Sequence, residues 1–133
     1  MKFMLIANAD KDFEVGVPPD PRLIAAIQDL AVEMTKAGVL IGAGGLAPSS
    51  EGARTRLSGG KVTVTDGPFV ETKEVIAGYA IIDVKSKKEA IEWAKRFWQV
   101  HADVLGPSYE RECEVRQMMD AEHCAAAAAE GSG

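Results

Sequence analysis

No long hydrophobic run, no basic run and no dense set of cysteines occurs in these 133 residues, and each absence removes a class of protein. Without an apolar stretch near the roughly 20 residues that span a bilayer, no membrane-crossing helix is expected. Fifteen Lys and Arg stand against twenty Asp and Glu, for a net charge of −5. The cations are scattered from Lys2 to Arg116, so the phosphate-neutralising footprint of a nucleic-acid binder is missing, and an acidic surface disfavours anionic membranes. The cysteines, Cys113 and Cys124, lack the paired spacing of a zinc site and read as reduced thiols of a cytoplasmic protein. His101, Asp103, Glu112 and Glu114 are ligand types without a repeated spacing, so no structural metal is expected. Gly42-x-Gly44-Gly45 lacks the third glycine of a dinucleotide fingerprint and no lysine follows, so no organic cofactor is expected either. What remains is 47% hydrophobic and 26% charged, the balance of one globular domain. A chain of this length buries roughly two-thirds of its unfolded surface, enough for a core without staples.

The opening Met1-Lys2-Phe3-Met4-Leu5-Ile6 begins like a signal peptide, but its apolar stretch ends at Asn8 and Asp10, short of a usual h-region. Phe3 to Ala7 reads instead as a first strand covered on both faces. Asp20 is suited to cap a helix and Pro21 to its first turn; Leu23, Ile27, Leu30 and Met34 then recur at helical spacing, with Gly38 as the stop. Val39 to Leu46 predicts a short strand ending in a glycine bend, and Ala47 to Gly52 a polar loop. Thr55–Leu57 and Val62–Thr65 flank a Gly59-Gly60 turn, and the alternation of Val62 and Val64 with Thr63 and Thr65 predicts a hairpin with one covered and one polar face. Val75 to Val84 is a long strand. Ser86 and Glu89 have the spacing of a capping box, and Ala90, Ile91, Ala94, Phe97 and Trp98 make a second helical stripe. Glu112 to Met118 alternates as a final strand would. The order predicts an antiparallel sheet with two helices on one face, in a folded domain over 1–118 and a helical or disordered alanine-rich tail over 119–133. The face left open calls for a second copy of the chain, a homodimer with room between the sheets for a small organic ligand.

One segment has no origin in periodicity. Asp66-Gly67-Pro68-Phe69-Val70-Glu71-Thr72-Lys73-Glu74 resembles the DGPFAETKE signature of the YCII-related (DGPF-domain) family, with Val70 where the signature has alanine. Met1 to Ile6, Ala37-Gly38-Val39-Leu40, Gly44-Gly45-Leu46, Ala77-Gly78-Tyr79 and Ile82-Asp83-Val84 carry supporting matches. The resemblance implies an α+β, ferredoxin-like fold that dimerises into an α/β-barrel-like assembly. It implies small-molecule lyase or dehalogenase-like chemistry for some members, and for many a genetic link to extracytoplasmic-function sigma factors. Many relatives pass directly from the second helix to a Gly-Ser-Val-Glu-Val-Arg strand, whereas this chain inserts Gln99 to Pro107.

Each candidate residue has a functional and a plain reading. Asp66 is the candidate acid or base, exchanging a proton with a substrate if apolar walls raise its pKa; the plain reading is a carboxylate that closes a turn. His101, placed just beyond the second helix, is the second catalytic candidate with Asp66 or Asp103 as partner; the plain reading is a histidine capping a helix end. Thr72 and Lys73 are candidate substrate contacts or members of solvated surface pairs. Tyr79 is a candidate ring contact, while Trp93, Phe97 and Trp98 fit core packing. Cys113 reads as a small buried hydrophobe. These readings support a cofactor-independent lyase or isomerase working near Asp66, or else a non-catalytic metabolite-sensing module tied to a sigma-factor system.

Overall fold

A computed structural model describes residues 1–70 and 75–119. The chain runs β1 (Lys2–Asn8), α1 (Lys11–Glu14), α2 (Pro21–Lys36), β2 (Leu40–Gly45), a 3₁₀ turn (Ser49–Glu51), β3 (Ala53–Ser58), β4 (Lys61–Asp66), β5 (Ile76–Asp83), α3 (Lys87–Leu105) and β6 (Cys113–Gln117). Strands β2, β5, β1 and β6 form one antiparallel sheet in that order, and β3 and β4 form a separate two-stranded arm. Two strand–helix–strand units, β1–α2–β2 and β5–α3–β6, therefore interleave their strands. This α+β arrangement is consistent with a ferredoxin-like fold, with the arm carried between its second and third core strands.

The helices start where side chains supply the missing backbone partners. Asp20 accepts the Arg22 N–H at 2.9 Å, with Pro21 in the first turn of α2. Ser86 accepts the Glu89 N–H at 3.2 Å to open α3. The Glu89 carboxylate reaches back one residue further than a capping box requires, to the Lys85 N–H at 2.9 Å.

Register sorts the sheet into two faces, because residues directly opposite in a ladder share a side. Phe3 pairs with Ile82 and Gln117, and Leu5 with Ala80 and Val115. This side is buried under α2 and α3: Phe3, Leu5, Leu30, Met34, Val39, Ile82, Val84, Ala90 and Ala94 form the core, with Ile82 and Ala90 fully enclosed. The other side carries Met4 opposite Ile81 and Ile6 opposite Tyr79. Met4, Ile6 and Ile81 are half-buried and Tyr79 is exposed. Neither α2 nor α3 covers it, so β1 is fully covered on one face only, rather than on both as its unbroken apolar run predicts.

Three expectations are corrected. The arm has no covered face: all twelve residues of β3 and β4 are exposed, including Leu57, Val62 and Val64. The alternation is real, but no described element packs on the apolar side. A third helix, α1, precedes the two expected; it is a single turn capped by Asp10, which accepts the Phe13 N–H at 2.8 Å. Finally, α3 does not stop before the inserted residues but runs through them to Leu105, which places His101 inside the helix.

Candidate functional site

The arm and the sheet meet at a cleft built from three chain segments. The loop after β2 contributes Leu46, Pro48, Ser49 and Glu51, the base of the arm contributes Arg54, and Phe69 joins them with Val75 and Ile76 at the start of β5. The cleft is open and encloses about 420 Å³, within the usual range of small-ligand sites. Backbone bonds fix its walls: Leu46 N–H donates to the Ala77 carbonyl at 2.8 Å, Ala9 N–H to the Val75 carbonyl at 2.7 Å, and Gly67 N–H to the Gly52 carbonyl at 2.9 Å. The Arg54 guanidinium lies 3.9 Å from the centre of the Phe69 ring, a cation held against an aromatic face. A second open depression, about 550 Å³, follows the arm along Arg54, Thr55, Arg56, Thr63 and Thr65 and lacks the first one's apolar wall.

Within Asp66–Phe69 the structure gives each residue a local reason. The arm's ladder ends at Asp66 opposite Ala53. Gly67 packs its Cα directly on the 3₁₀ turn, where an added Cβ would fall 1.7 Å from the Ser49 carbonyl oxygen, so no larger residue fits without moving backbone. The Gly67–Pro68 peptide bond is cis. The Phe69 N–H donates to the Ser49 hydroxyl at 3.0 Å. Ser49 itself is buried and is held by Glu14 of α1, whose carboxylate accepts the Ser49 N–H at 2.9 Å and also the Ser49 hydroxyl. Glu14, Ser49 and Arg54 were not singled out from sequence. Asp10 with Phe13 marks the turn that carries Glu14, but nothing local pairs Glu14 with a serine 35 residues away.

The sequence candidates do not converge on one point. Asp66 is exposed and is not among the residues that line the cleft. Tyr79 lies on the open sheet face with its ring over Gly44 of the neighbouring strand. Thr72 and Lys73 lie outside the described residues, as do Cys124, His123 and the alanine-rich tail. His101 is buried on the helix side, 4% exposed, among Phe97, Trp98 and Tyr109, with the Tyr109 ring stacked at 5.8 Å. Its Nδ1–H donates to the Phe97 carbonyl at 2.8 Å within α3, a role for the ring inside the helix rather than at its end. Burial lowers the His101 pKa; the Phe97 carbonyl opposes this and the Arg111 cation adds to it. Arg111 donates to the Tyr109 hydroxyl at 2.9 Å and to the Asn8 carbonyl, pinning the approach to β6. Cys113 is half-buried at the start of β6, and desolvation pushes its thiol pKa up, which favours the unreactive thiol form. No group of three His, Cys, Asp or Glu among the described residues is gathered so as to hold a metal ion. No helix among them is long and apolar enough to cross a membrane.

The YCII-related domain matches residues 1–106, from β1 to the end of α3, and so takes in the whole cleft. The chain belongs to the YCII-related family. Among curated relatives, this YCII-related chain is 39% identical over 74 residues to an uncharacterised protein of Rhizobium meliloti (strain 1021), covering 56% of the present chain and 57% of that protein.

Proposed function

We propose that this YCII-related protein is a homodimer that binds a small organic molecule in the cleft beside Phe69, its open sheet face packed on that of a second copy in a barrel-like assembly. The observation that carries the reading is the sheet itself. Met4, Ile6, Tyr79 and Ile81 make an apolar surface on the side of the sheet away from α2 and α3, and contiguous apolar surface of this kind marks a place for a partner. The cleft opens where β5 enters that sheet, since Ile76 belongs to both. A second copy packed there would wall off a space now open to water.

Acid/base chemistry of the lyase or isomerase kind follows if the second copy also encloses Asp66. Enclosure by apolar walls disfavours the charged form of a carboxylate and suits it to proton transfer near neutral pH. Tyr79, and Thr72 and Lys73 of the adjoining segment, are the proposed substrate contacts. His101, buried behind the sheet with one ring nitrogen committed to its helix, is set aside as a proton carrier in this reading.

Sedimentation velocity at micromolar concentration tests the assembly. The wild type is expected as a dimer, and the Tyr79→Asp, Ile81→Asp double variant as a folded monomer; a wild-type monomer would refute the proposal. A thermal-shift screen of small organic acids and hydroxylated compounds tests binding, since a ligand at about 100 times its Kd stabilises by roughly 2.7 kcal/mol. With a substrate in hand, Asp66→Asn should abolish turnover and leave the dimer intact.

A further inference from the structure

Three segments far apart in sequence meet at one hydroxyl on the cleft wall. Ser49 contributes that hydroxyl and is 6% exposed. A serine hydroxyl has one proton to give and lone pairs to receive. Here the proton goes to the Glu14 carboxylate, which leaves a lone pair facing the Phe69 N–H at 3.0 Å. The second Glu14 oxygen accepts the Ser49 N–H at 2.9 Å, so the carboxylate grips both the backbone and the side chain of the residue that receives Phe69. The Gly67 backbone closes the arrangement by packing on the Ser49 carbonyl with no space for a Cβ. Phe69 in turn forms the aromatic wall of the cleft and supports Arg54 at 3.9 Å.

We infer that Glu14 is a positioning residue of the cleft, acting through the Ser49 hydroxyl to hold the Phe69 backbone and with it the aromatic wall. Glu14 is not among the residues lining the cleft, so it shapes the space without meeting the ligand. The charge matters: a carboxylate can only accept, so it compels the hydroxyl to donate toward it and keeps the lone pair turned to Phe69. The functional meaning of this latch rests on the proposed ligand cleft, but the latch itself can be tested without any ligand.

Amide hydrogen exchange of the full chain labelled with ¹⁵N-phenylalanine reads the contact directly. Of the four phenylalanines, Phe69 reports the latch and Phe3, in the central strand β1, reports the sheet. Glu14→Ala and Ser49→Ala are each expected to speed Phe69 exchange roughly tenfold while leaving Phe3 unchanged, the signature of a local opening. Glu14→Gln, which keeps the size but can also donate, is expected to give a smaller acceleration and serves if the alanine variant does not fold. Unchanged Phe69 exchange in these variants would overturn the inference, and so would equal acceleration at Phe69 and Phe3, which would mark general loosening. Compounds that stabilise the wild type in the thermal-shift screen should lose most of their effect on Glu14→Ala; retention of the full effect would also overturn it. If no compound stabilises the wild type, the cleft reading fails, while the exchange measurement still decides the latch.

Discussion

Replacing Gly67 by alanine adds one methyl group where, of all the described glycines, there is least room for it. The new Cβ would stand 1.7 Å from the Ser49 carbonyl oxygen and 2.6 Å from its carbon, whereas ordinary contact begins at 3.4 Å. Both neighbours are backbone, so relief requires the segment after β4 and the 3₁₀ turn to part by more than an ångström. Overpacking of this kind costs about 1–3 kcal/mol before anything else is disturbed. Parting also stretches the Gly67 N–H bond to the Gly52 carbonyl and the Phe69 N–H bond to Ser49, each worth about 1 kcal/mol. The expected loss is therefore about 3–5 kcal/mol, or a fall of about 1.5–2.5 M in the urea midpoint at a slope of about 2 kcal/mol/M. Gly45→Ala is the control: a Cβ there meets nothing within 4 Å, and its midpoint should hold. A Gly67→Ala midpoint within about 0.2 M of wild type would refute the close-contact account of this glycine.

Ile82, with no exposed surface at the centre of the core, should lose about 2–5 kcal/mol as Ile82→Ala in the same titration. Ser86→Ala should cost about 1 kcal/mol by removing the acceptor for the Glu89 N–H, whereas Ser86→Asn, which keeps a capping oxygen, should lose little. For His101 the folded pKa lies below that of the unfolded chain, chiefly through burial. The neutral ring is therefore the folded form, stability is full above about pH 6.5 and falls as pH drops below that, levelling once the folded pKa is passed. His101→Gln should reduce the difference between midpoints at pH 7.5 and 5.5, and an unchanged difference would count against the assignment.

The core elements were legible because each rests on local chemistry. Asp20-Pro21 starts α2 through a cap and a fixed φ, Gly59-Gly60 turns the arm through positive φ at both residues, and the stripe from Leu23 to Met34 needs only the helical period to find the core. Reading α3 as ending before Gln99 failed for a physical reason. Gln99 to Leu105 has no helix breaker, Val100 packs against the core and His101 is buried, so tertiary packing carries the helix on to Gly106 at φ +92°. The cleft was legible only in part. Phe69 was flagged by resemblance, but Glu14 and Ser49 are joined across 35 residues by a contact that no pattern along the chain encodes.

The arm shows most clearly what a hydrophobic pattern does and does not state. Alternation at Val62 and Val64 specifies that one side of the ribbon can be buried, not that this chain supplies the cover. The described residues leave Leu57, Val62 and Val64 between 66% and 74% exposed, on a two-stranded ribbon that is at best marginal alone in water. The main sheet repeats the same mismatch, with Met4, Ile6 and Ile81 on the side away from the core that α2 and α3 cover. The arm brings Arg54 to the cleft from its other face, since Arg54 pairs with Thr65 while Leu57 pairs with Val62. Both surfaces follow the same rule: an apolar pattern fixes which side can be buried, and the contacts that bury it lie beyond what the pattern along one chain encodes.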